Sequence, residues 1–594
     1  MRLILKILPL KLCFITIFIA NINLCSQHYN RNWIIGYGSN DTTKIKYGKM
    51  LLDFEQNPVS ILYSPKGKQF ELGFSTSCIS DKSGRFLFYS DNKYLIDCNH
   101  QVLPNGDSIN PGKIREYYIN DGYPVSTASF FLPDPANSNS YYFIHRALGL
   151  DEDPHTTKPI YSDRLLYSKI DINNNFPKGI VTMKNQLLLH GNFVLCHLAA
   201  CKHGNGRDWW IILEEANSNK HFIFLLNPDG VSLHHEQKIG IKSTLKDWNG
   251  DCLFTPDGKK YIKSTLDQQI QIFDFNRCTG GFSNPIQILL PTIDSANSLM
   301  VCASPNSKYL YASIYKYIFQ FDLTKKNIVS SVETVGIWDW YYYKNLFSTG
   351  FYKMGLAPDN KIYITTESGG PYIHVIEDPD SHGKNCNMEL RKIKLPAYYA
   401  FGIPTMPNYN LGPEDDCFCD NLGIDNIPFA YWNYNVDISD SKLLKFRDLS
   451  SYETTFWKWD FGDGSYSNIK NPYHRFTYSG TYKVCLKAIN INGNNSFCRI
   501  IQIGVEDSIN YKIKLNIKIY PNPIKDIINI NIEDYNLDNL NYEIYNQYGQ
   551  LMQTNRLYSR NNYINCTECE TGIFYIAIIK NNKSIIISKL IKFE

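Results

Sequence analysis

Six times along this chain a polar turn stands just before a strand of aromatic or β-branched residues. The units are "DKSGRFLFY" (Asp81 to Tyr89), "NSNSYYFI" (Asn137 to Ile144), "GNGRDWWII" (Gly204 to Ile212), "PDGKKYI" (Pro256 to Ile262), "PNSKYLY" (Pro305 to Tyr311) and "PDNKIYI" (Pro358 to Ile364). Aligned at Ser83, Asn137, Asn205, Asp257, Asn306 and Asp359, they lie 54, 68, 52, 49 and 53 residues apart. Units also carry a second strand ending in an acidic or Asn-rich turn, as in "LLYSKIDINNN" (Leu165 to Asn175), "FIFLLNPDG" (Phe222 to Gly230), "IQIFDFNRCTGG" (Ile270 to Gly281) and "IFQFDLTKKN" (Ile318 to Asn327). A strand-turn-strand period near fifty residues has room for about four short strands and marks a propeller blade. One such sheet cannot bury both faces, whereas a ring of them can, leaving only short protected edges. Strands are left over at both ends: "NWIIGYG" (Asn32 to Gly38) with "LLDF" (Leu51 to Phe54), and "GIPTMPNY" (Gly402 to Tyr409). A seventh blade built from both termini is therefore expected to close the ring, with six and eight blades as the alternatives.

At 594 residues the chain exceeds what one hydrophobic core serves, and about two to four domains are expected. Aromatics make up 14%, with 43 tyrosines, a composition suited to strands. The formal net charge is only +3, with Lys and Arg dispersed, which argues against a nucleic-acid groove. Lys325-Lys326 reads as a solvated turn. At the N-terminus Arg2, Lys6 and Lys11 precede an apolar run from Leu12 to Ala20. That run is too short to span a bilayer and reads as a secretory signal peptide over residues 1–26, cut after Ser26 or Gln27. Lipidation at Cys25 is disfavoured by the bulk of Leu24, and no other stretch is long and apolar enough to cross a membrane.

Cysteine usage fits export. Of sixteen cysteines, Cys13 and Cys25 leave with the signal peptide, and the remaining fourteen suit disulfides in an oxidising exterior. Cys485 and Cys498 fall near-opposite on two strands joined by the turn "NING" (Asn490 to Gly493), and a cross-strand disulfide is expected there. Cys566 and Cys569 have redox-dithiol spacing without a βαβ setting, so a local bridge or two free thiols is expected. Cys417 and Cys419 lack zinc-site spacing. Spacing assigns no partners to Cys78, Cys98, Cys196, Cys201, Cys252, Cys278, Cys302 and Cys386.

After a linker at 413–427 come "WKWDFGDGS" (Trp457 to Ser465) and "NPYHRFTYSGTYKVCLKAIN" (Asn471 to Asn490). Trp459 is placed to fill a sandwich core, while Asp460, Gly462, Asp463 and Gly464 make a bend that needs permissive backbone and side-chain caps. Tyr482, Val484, Leu486 and Ala488 alternate and should share a buried face. "DFG" here lacks the loops of a kinase, and Asp460-x-x-Asp463 does not complete a calcium loop. This segment, 428–505, resembles a PKD domain, which implies an immunoglobulin-like β-sandwich. A second linker, 506–516, leads to "IKIYPNP" (Ile517 to Pro523), the hairpin pattern "YEIYNQYGQLM" (Tyr542 to Met552) and closing strands "GIFYIAIIKNNKSIIISKLIKFE" (Gly572 to Glu594). Ile528, Ile530 and Ile532 alternate as in a half-buried strand, and Pro521 and Pro523, which cannot donate ladder hydrogen bonds, are expected to mark where pairing begins.

Residues 517–594 resemble the C-terminal sorting domain of the type IX secretion system of Bacteroidetes. The resemblance rests on Tyr520, Pro521, Asn522, Pro523, Gly572, Lys583, Lys589 and Lys592. It implies passage through the type IX machinery, removal of the domain, and either surface attachment at the outer membrane or release. The body of the chain, 27–412, resembles Bacteroidetes extracellular proteins with YVTN-type or WD-repeat-like propellers. That resemblance is carried by "CISDKSGRFLFYSDN" (Cys78 to Asn92), "NHQVLPNGD" (Asn99 to Asp107), "HGNGRDWWII" (His203 to Ile212) and "GIPTMPNYNLGP" (Gly402 to Pro413). The expected fold class is all-β: propeller, PKD sandwich and C-terminal β-sandwich.

Motifs for catalysis are sparse. His203, Asp208, Glu214 and Glu215 cluster around one blade, and paired carboxylates serve glycoside hydrolysis. Asp208 sits in a repeat turn, however, and Glu214-Glu215 is expected to follow a strand into a loop, so structural roles are favoured. His145, His155 and His197 lack metal-site spacing. No nucleophile elbow, phosphate loop or dinucleotide fingerprint occurs, and no catalytic, cofactor or metal residues are assigned. The suggestive feature is "GIWDWYYYKN" (Gly336 to Asn345) in a long inter-strand insert. A contiguous aromatic run cannot all face one side of a strand, so some of Trp338, Trp340, Tyr341, Tyr342 and Tyr343 are expected at the surface as a platform for sugar rings or partner side chains. The expected function is recognition or adhesion with an extracellular glycan or protein ligand. The alternative is an extracellular hydrolase of polysaccharide or peptide with its site in the propeller, which requires carboxylates converging at a cleft.

Overall fold

The aromatic turn-strand units become the first hairpins of successive antiparallel sheets in a computed structural model of the chain. It describes residues 28–37, 47–55, 58–65, 70–120, 122–150, 160–243, 249–265, 269–290, 298–415, 417–437, 439–504, 516–533, 540–546, 551–557, 561–567, 569, 571–580 and 583–592. The expected signal peptide lies outside these residues, as does His155. Nearly every element is a strand; one five-residue helix, Lys113–Tyr117, is described. Two compact units divide the chain: one runs to Phe429 and includes Leu449–Thr454 and Asn490–Asn494, and the other comprises Ala430–Asp448, Thr455–Ile489 and Asn495–Glu594.

In the first unit, blade one is Asn32–Tyr37, Gly48–Asp53 and Ser60–Ser64, and blade two is Ser77–Ser80, Phe86–Ser90 and Leu95–Asp97. Blade three is Ser129–Pro133, Ser140–Leu150, Ile160–Asn173 and the first half of the long strand Phe176–Lys202; blade four is the second half of that strand with Trp209–Glu215, Lys220–Asn227 and Gly230–Lys238. The long strand shifts register at Phe193, where it leaves one partner for the other. Blades five, six and seven each have four strands, beginning at Cys252–Phe254, Met300–Ala303 and Phe351–Leu356.

Alternation along each strand sends neighbouring side chains to different cores. Trp209, Ile211 and Leu213 pack with blade three, while Trp210 and Ile212 pack with Tyr261 and Phe273 of blade five. Ile262 joins Leu310 and Ala312 in the next core, and Tyr309 and Tyr311 join Ile362 and Ile364 in the one after. Tyr363 then meets Trp33, Met50 and Leu52 of blade one, whose Ile34 turns to Tyr89 of blade two. The sequence of cores returns to its start, so the seven sheets form a closed ring. Because both faces of a blade are covered, its strands read as nearly unbroken apolar runs such as "WWIIL".

The polar turns act as Asx caps. Asn137, Asn205, Asp257, Asn306 and Asp359 each accept, at 3.0 to 3.3 Å, the backbone N–H two residues on. In the first repeat Asp81 does this for Ser83, at 2.9 Å. Closure differs from expectation in one respect. Blade one is built from the N-terminal strands alone, and residues around Gly402 to Tyr409 form no strand. Thr405 instead donates its N–H to the Thr76 carbonyl at 2.9 Å, and the buried Tyr409 hydroxyl donates to the Phe131 carbonyl at 2.8 Å. The prolines at 404 and 407 deny this segment two ladder donors.

The second unit holds two sandwich-like pairs of sheets. One pairs Trp432–Val436, Leu443–Asp448 and Tyr473–Arg475 in one sheet, and Tyr466–Ser467, Phe456–Asp460, Gly480–Asn490 and Gly493–Ile503 in the other. Trp459 is fully buried in its core with Trp432, Phe446, Val484, Leu486 and Ala488, and Tyr482 packs on the edge of that core. Asp460 and Asp463 accept the N–H groups of Gly462 and Ser465, each at 3.0 Å. A Cβ at Gly462 would meet the Lys483 carbonyl, and its φ of 74° is one that glycine adopts readily. Cys485 is bonded to Cys498.

The other pair contains Asn516–Tyr520, Ile527–Glu533 and Asn561–Asn565 in one sheet, with Leu540–Asn546, Leu551–Arg556, Gly572–Lys580 and Lys583–Lys592 in the other. Pro521 and Pro523 end the strand Asn516–Tyr520 rather than opening it. They aim Asn522 and Ile524 at the last strand, where the Ile591 N–H donates to Asn522 Oδ1 at 3.1 Å and the Ile524 N–H to the Ile591 carbonyl at 2.8 Å. Cys566 and Cys569 form a local bridge, and the buried Lys592 ammonium donates to the carbonyls of Cys566, Thr567 and Cys569 at 2.7, 3.0 and 2.9 Å.

Candidate ligand-binding face

The aromatic insert joins the last strand of blade six, Glu333–Ile337, to the first of blade seven. Trp338, expected among the surface rings, is instead its anchor. It is 2% exposed, its Nε1–H donates to Thr349 Oγ1 at 3.1 Å, and its ring lies 5.0 Å from that of Tyr315. An indole this large is driven inward by its apolar area once a partner for its N–H exists. The next rings go outward: Trp340 is 58% exposed, Tyr341 40% and Tyr342 42%, with Tyr343 half-buried. Trp340 adopts a φ of 60°, a left-handed kink that turns its side chain away from the core.

The outward rings are held by contacts on both sides. Trp338 backs Trp340 at 4.7 Å and Tyr342 at 5.4 Å between centroids. Lys316 Nζ lies 5.0 Å from the Trp340 ring, and the Arg391 guanidinium 4.6 Å from that of Tyr341. Arg391 is itself fixed by a two-pronged pair with Asp339 at 2.8 and 2.6 Å. That hydrogen bond holds the Asp339 carboxyl below its usual range.

The platform continues on rings that sequence reading did not select. Tyr372 stands 6.3 Å from Tyr341 and 5.6 Å from Tyr343; Tyr398 stands 6.3 Å from Tyr343 and 5.3 Å from Phe347. Tyr47 follows at 5.8 Å from Tyr398, and Tyr37 at 5.5 Å from Tyr47. These contacts run unbroken from the blade six insert over blade seven to blade one. The added tyrosines are single residues in blade strands or beside them, and only ring closure brings the two ends of the chain together. The segments "YGKM" after Lys46 and "PAYYAF" before Gly402 were the available signals, each ambiguous alone.

The carboxylates and histidines considered for chemistry lie elsewhere. Asp208 accepts from Asn205 Nδ2 at 2.8 Å and pairs with Arg207 at 2.7 Å within its turn. His203 Nδ1 accepts the Asn205 N–H at 3.0 Å. Glu215 pairs with Lys220 at 2.9 Å. Glu214 and Glu215 lie within the strand Trp209–Glu215 and not in a loop, and Glu214 is fully buried between Lys263 Nζ, at 2.5 Å, and His197 Nδ1, at 2.6 Å. His145 is buried between Asn110 and Ser168, and desolvation drives its pKa down to about 3. A cleft of about 470 Å³ on blade five is lined by Asp257, Asp274 and Glu414 with Lys259 and Lys260. Asp274 there, despite partial burial, is held below its usual range by Lys260 and Asn284. A glycosidase acid needs the opposite shift. Among the described residues one group of three metal-capable side chains occurs, Cys278, Cys417 and Cys419.

Two segments match known families. Residues 433–505 match the PKD domain, and residues 518–593 match the secretion system C-terminal sorting domain. Among solved structures, the PKD1 domain of Vibrio anguillarum Epp is similar at 26% identity over 14% of this chain and 96% of that one, with a TM-score of 0.13. A candidate 6-phosphogluconolactonase from Bacteroides uniformis is similar at 14% identity over 63% of this chain and 98% of that one, TM-score 0.35. The Swd1 β-propeller domain of Myceliophteria thermophila is similar at 12% identity over 58% and 93%, TM-score 0.32. The ring of seven sheets and the two matched segments make the chain an all-β modular protein in which a propeller precedes a PKD domain and a type IX sorting domain. The sorting domain makes it a substrate of the type IX secretion machinery, exported to the extracellular space or the outer cell surface.

Proposed function

We propose that this exported protein is a recognition or adhesion protein that binds glycan along the aromatic face of its propeller. The observation that carries the reading is the line of ring contacts from Tyr341 to Tyr37, with the exposed Trp340 and Tyr342 beside its start and cations at Lys316 and Arg391 over the Trp340 and Tyr341 rings. Sugar rings stack their C–H faces on such platforms while tyrosine hydroxyls meet the sugar hydroxyls. Rings held by packing lose little entropy on binding. The PKD domain serves as a spacer or accessory binder, and the sorting domain is consumed in export, leaving the protein attached at the outer membrane or released.

The test is a glycan array probed with the secreted protein and with a Trp340→Ala, Tyr341→Ala variant. Binding to a related family of glycans by the first and not the second supports the reading. A blank array from folded protein, or binding that survives both substitutions, overturns it.

A further inference from the structure

Blade five is tied to the segment that follows the propeller by a disulfide between Cys278 and Cys419. Cys278 lies in the turn after the strand Gln269–Asn276. Beside that bond stands a third sulfur. Cys417 Sγ is 3.0 Å from the sulfurs of both Cys278 and Cys419, nearer than the ~3.5–4.0 Å at which even carbon atoms rest against each other.

The surroundings are shaped to the sulfurs. A Cβ on Gly204 would come within 2.6 Å of Cys419 Sγ and 2.8 Å of Cys278 Sγ. The Glu414 N–H donates to the Gly204 carbonyl at 2.7 Å, the Cys417 N–H to the Glu414 carbonyl at 3.3 Å, and the Asp420 N–H to the Cys417 carbonyl at 3.1 Å. These bonds keep the Cys-Phe-Cys turn against blade five, while Phe418 between the cysteines is 77% exposed. Cys417 is also more accessible than the buried thiols. Burial pushes Cys78 and Cys201 up to about 12, and Cys252 and Cys386 up to about 11, which leaves them almost no thiolate. Cys417 is half-exposed, and water reaches it.

We propose that Cys278, Cys417 and Cys419 form one thiol–disulfide exchange site, in which a single disulfide migrates among three sulfurs with Cys417 as the attacking thiol. Deprotonated Cys417 attacks Cys419 Sγ; the Cys417–Cys419 bond forms, the Cys278–Cys419 bond breaks, and the electron pair leaves on Cys278 Sγ, which takes a proton from water. Attack at Cys278 Sγ instead yields Cys278–Cys417 and frees Cys419. One disulfide and one thiol are present before and after, so no external oxidant or reductant enters. The thiol now stands alongside the bond, and rotation about its Cα–Cβ bond precedes in-line attack. Two of the pairings latch the segment to blade five, and the Cys417–Cys419 pairing releases it.

The experiment is disulfide mapping of the secreted protein, acid-quenched after incubation from mildly acidic to mildly alkaline pH, alkylated, digested without reduction and read by mass spectrometry. Exchange predicts alkyl label distributed over at least two of the three cysteines, summing to one label across those three, with faster redistribution as pH rises. Cys417→Ser should leave only the Cys278–Cys419 bridge, and Cys419→Ser should recover Cys278–Cys417. Label confined to Cys417 at every pH overturns the proposal, even if neither variant folds. So does about one zinc ion per chain with all three thiols shielded, which would make the cluster a metal site.

Discussion

Glu214→Gln isolates what a buried charge contributes to the ring. Glu214 lies in the strand Trp209–Glu215 of blade four, and Lys263 lies in the strand Lys260–Thr265 of blade five, so the pair spans two blades. His197 Nε2 faces the Ser264 carbonyl at 2.9 Å, which only accepts, and Nδ1 faces the Glu214 carboxylate at 2.6 Å. Both ring nitrogens therefore carry protons, and His197 is an imidazolium. Burial opposes that charge, yet the neighbouring Cys196 and Glu214 raise its pKa well above 6.5. Burial would likewise raise Glu214, but Lys263 and His197 outweigh it and hold the carboxyl far below its ordinary 4.5.

Replacing the carboxylate by an amide keeps the volume and removes two charge-assisted hydrogen bonds, worth about 1.5 to 3 kcal/mol each. It also leaves Lys263 and His197 buried without a counter-charge, and breaking such a pair costs about 3 to 5 kcal/mol in all. The sign of the pH dependence follows from the depressed carboxyl. Its contribution is fully present above 4.5 and is lost as pH falls through the folded value. The raised imidazole contributes fully below 6.5 and loses that contribution as pH rises through its folded value. Guanidinium unfolding of the secreted protein, followed by tryptophan fluorescence, should show the full loss near neutral pH and a shrinking difference between parent and variant below pH 4.5. An equal loss at pH 7 and pH 3, or one under about 1 kcal/mol at pH 7, would refute an electrostatic role and leave Glu214 as a packing residue.

Cys485→Ala with Cys498→Ala opens a loop of 13 residues' separation and should cost the PKD domain about 3 kcal/mol, read as a lower midpoint for its transition in calorimetry of the full chain. Lys592→Met removes the donor to three carbonyls, about 1 kcal/mol each, and should make the sorting domain the first site of limited proteolysis. Arg391→Lys loses the two-pronged grip on Asp339 and the planar stack on Tyr341; glycan binding should fall by about tenfold with the unfolding midpoint unchanged. Deleting Ile517 to Glu594 should leave the protein in the periplasm, and its normal export would sink the role given to that domain.

The propeller was legible because its turn chemistry repeats. An Asx cap before an aromatic strand is a local device, and local devices survive in sequence. Ring closure was not legible in the same way. "NWIIGYG" and "GIPTMPNY" look alike as apolar segments, but only the first alternates toward two cores, and the prolines of the second confine it to loop contacts. The long strand Phe176–Lys202 hid the boundary between blades three and four because no turn interrupts it. Cys278 and Cys419 lie 141 residues apart, and a pairing of that span leaves no local trace.

The position of the aromatic face follows from how a propeller spends its surface. Both sides of each blade are committed to neighbours, so rings at repeat positions, such as Trp209, Trp210 and Tyr363, end up buried. Residues the repeat does not need are not so committed. The insert between blades six and seven meets that condition, and within it the division is by position: Trp338, next to the final strand of blade six, is drawn into the core, whereas Trp340, at the left-handed kink, is not. Trp338 lies directly behind Trp340, 4.7 Å between ring centroids, and supports the exposed ring. Trp338→Ala should therefore weaken glycan binding as much as Trp340→Ala while also lowering stability by about 3 to 5 kcal/mol, and a variant that lost stability but bound normally would show that the exposed rings need no such support.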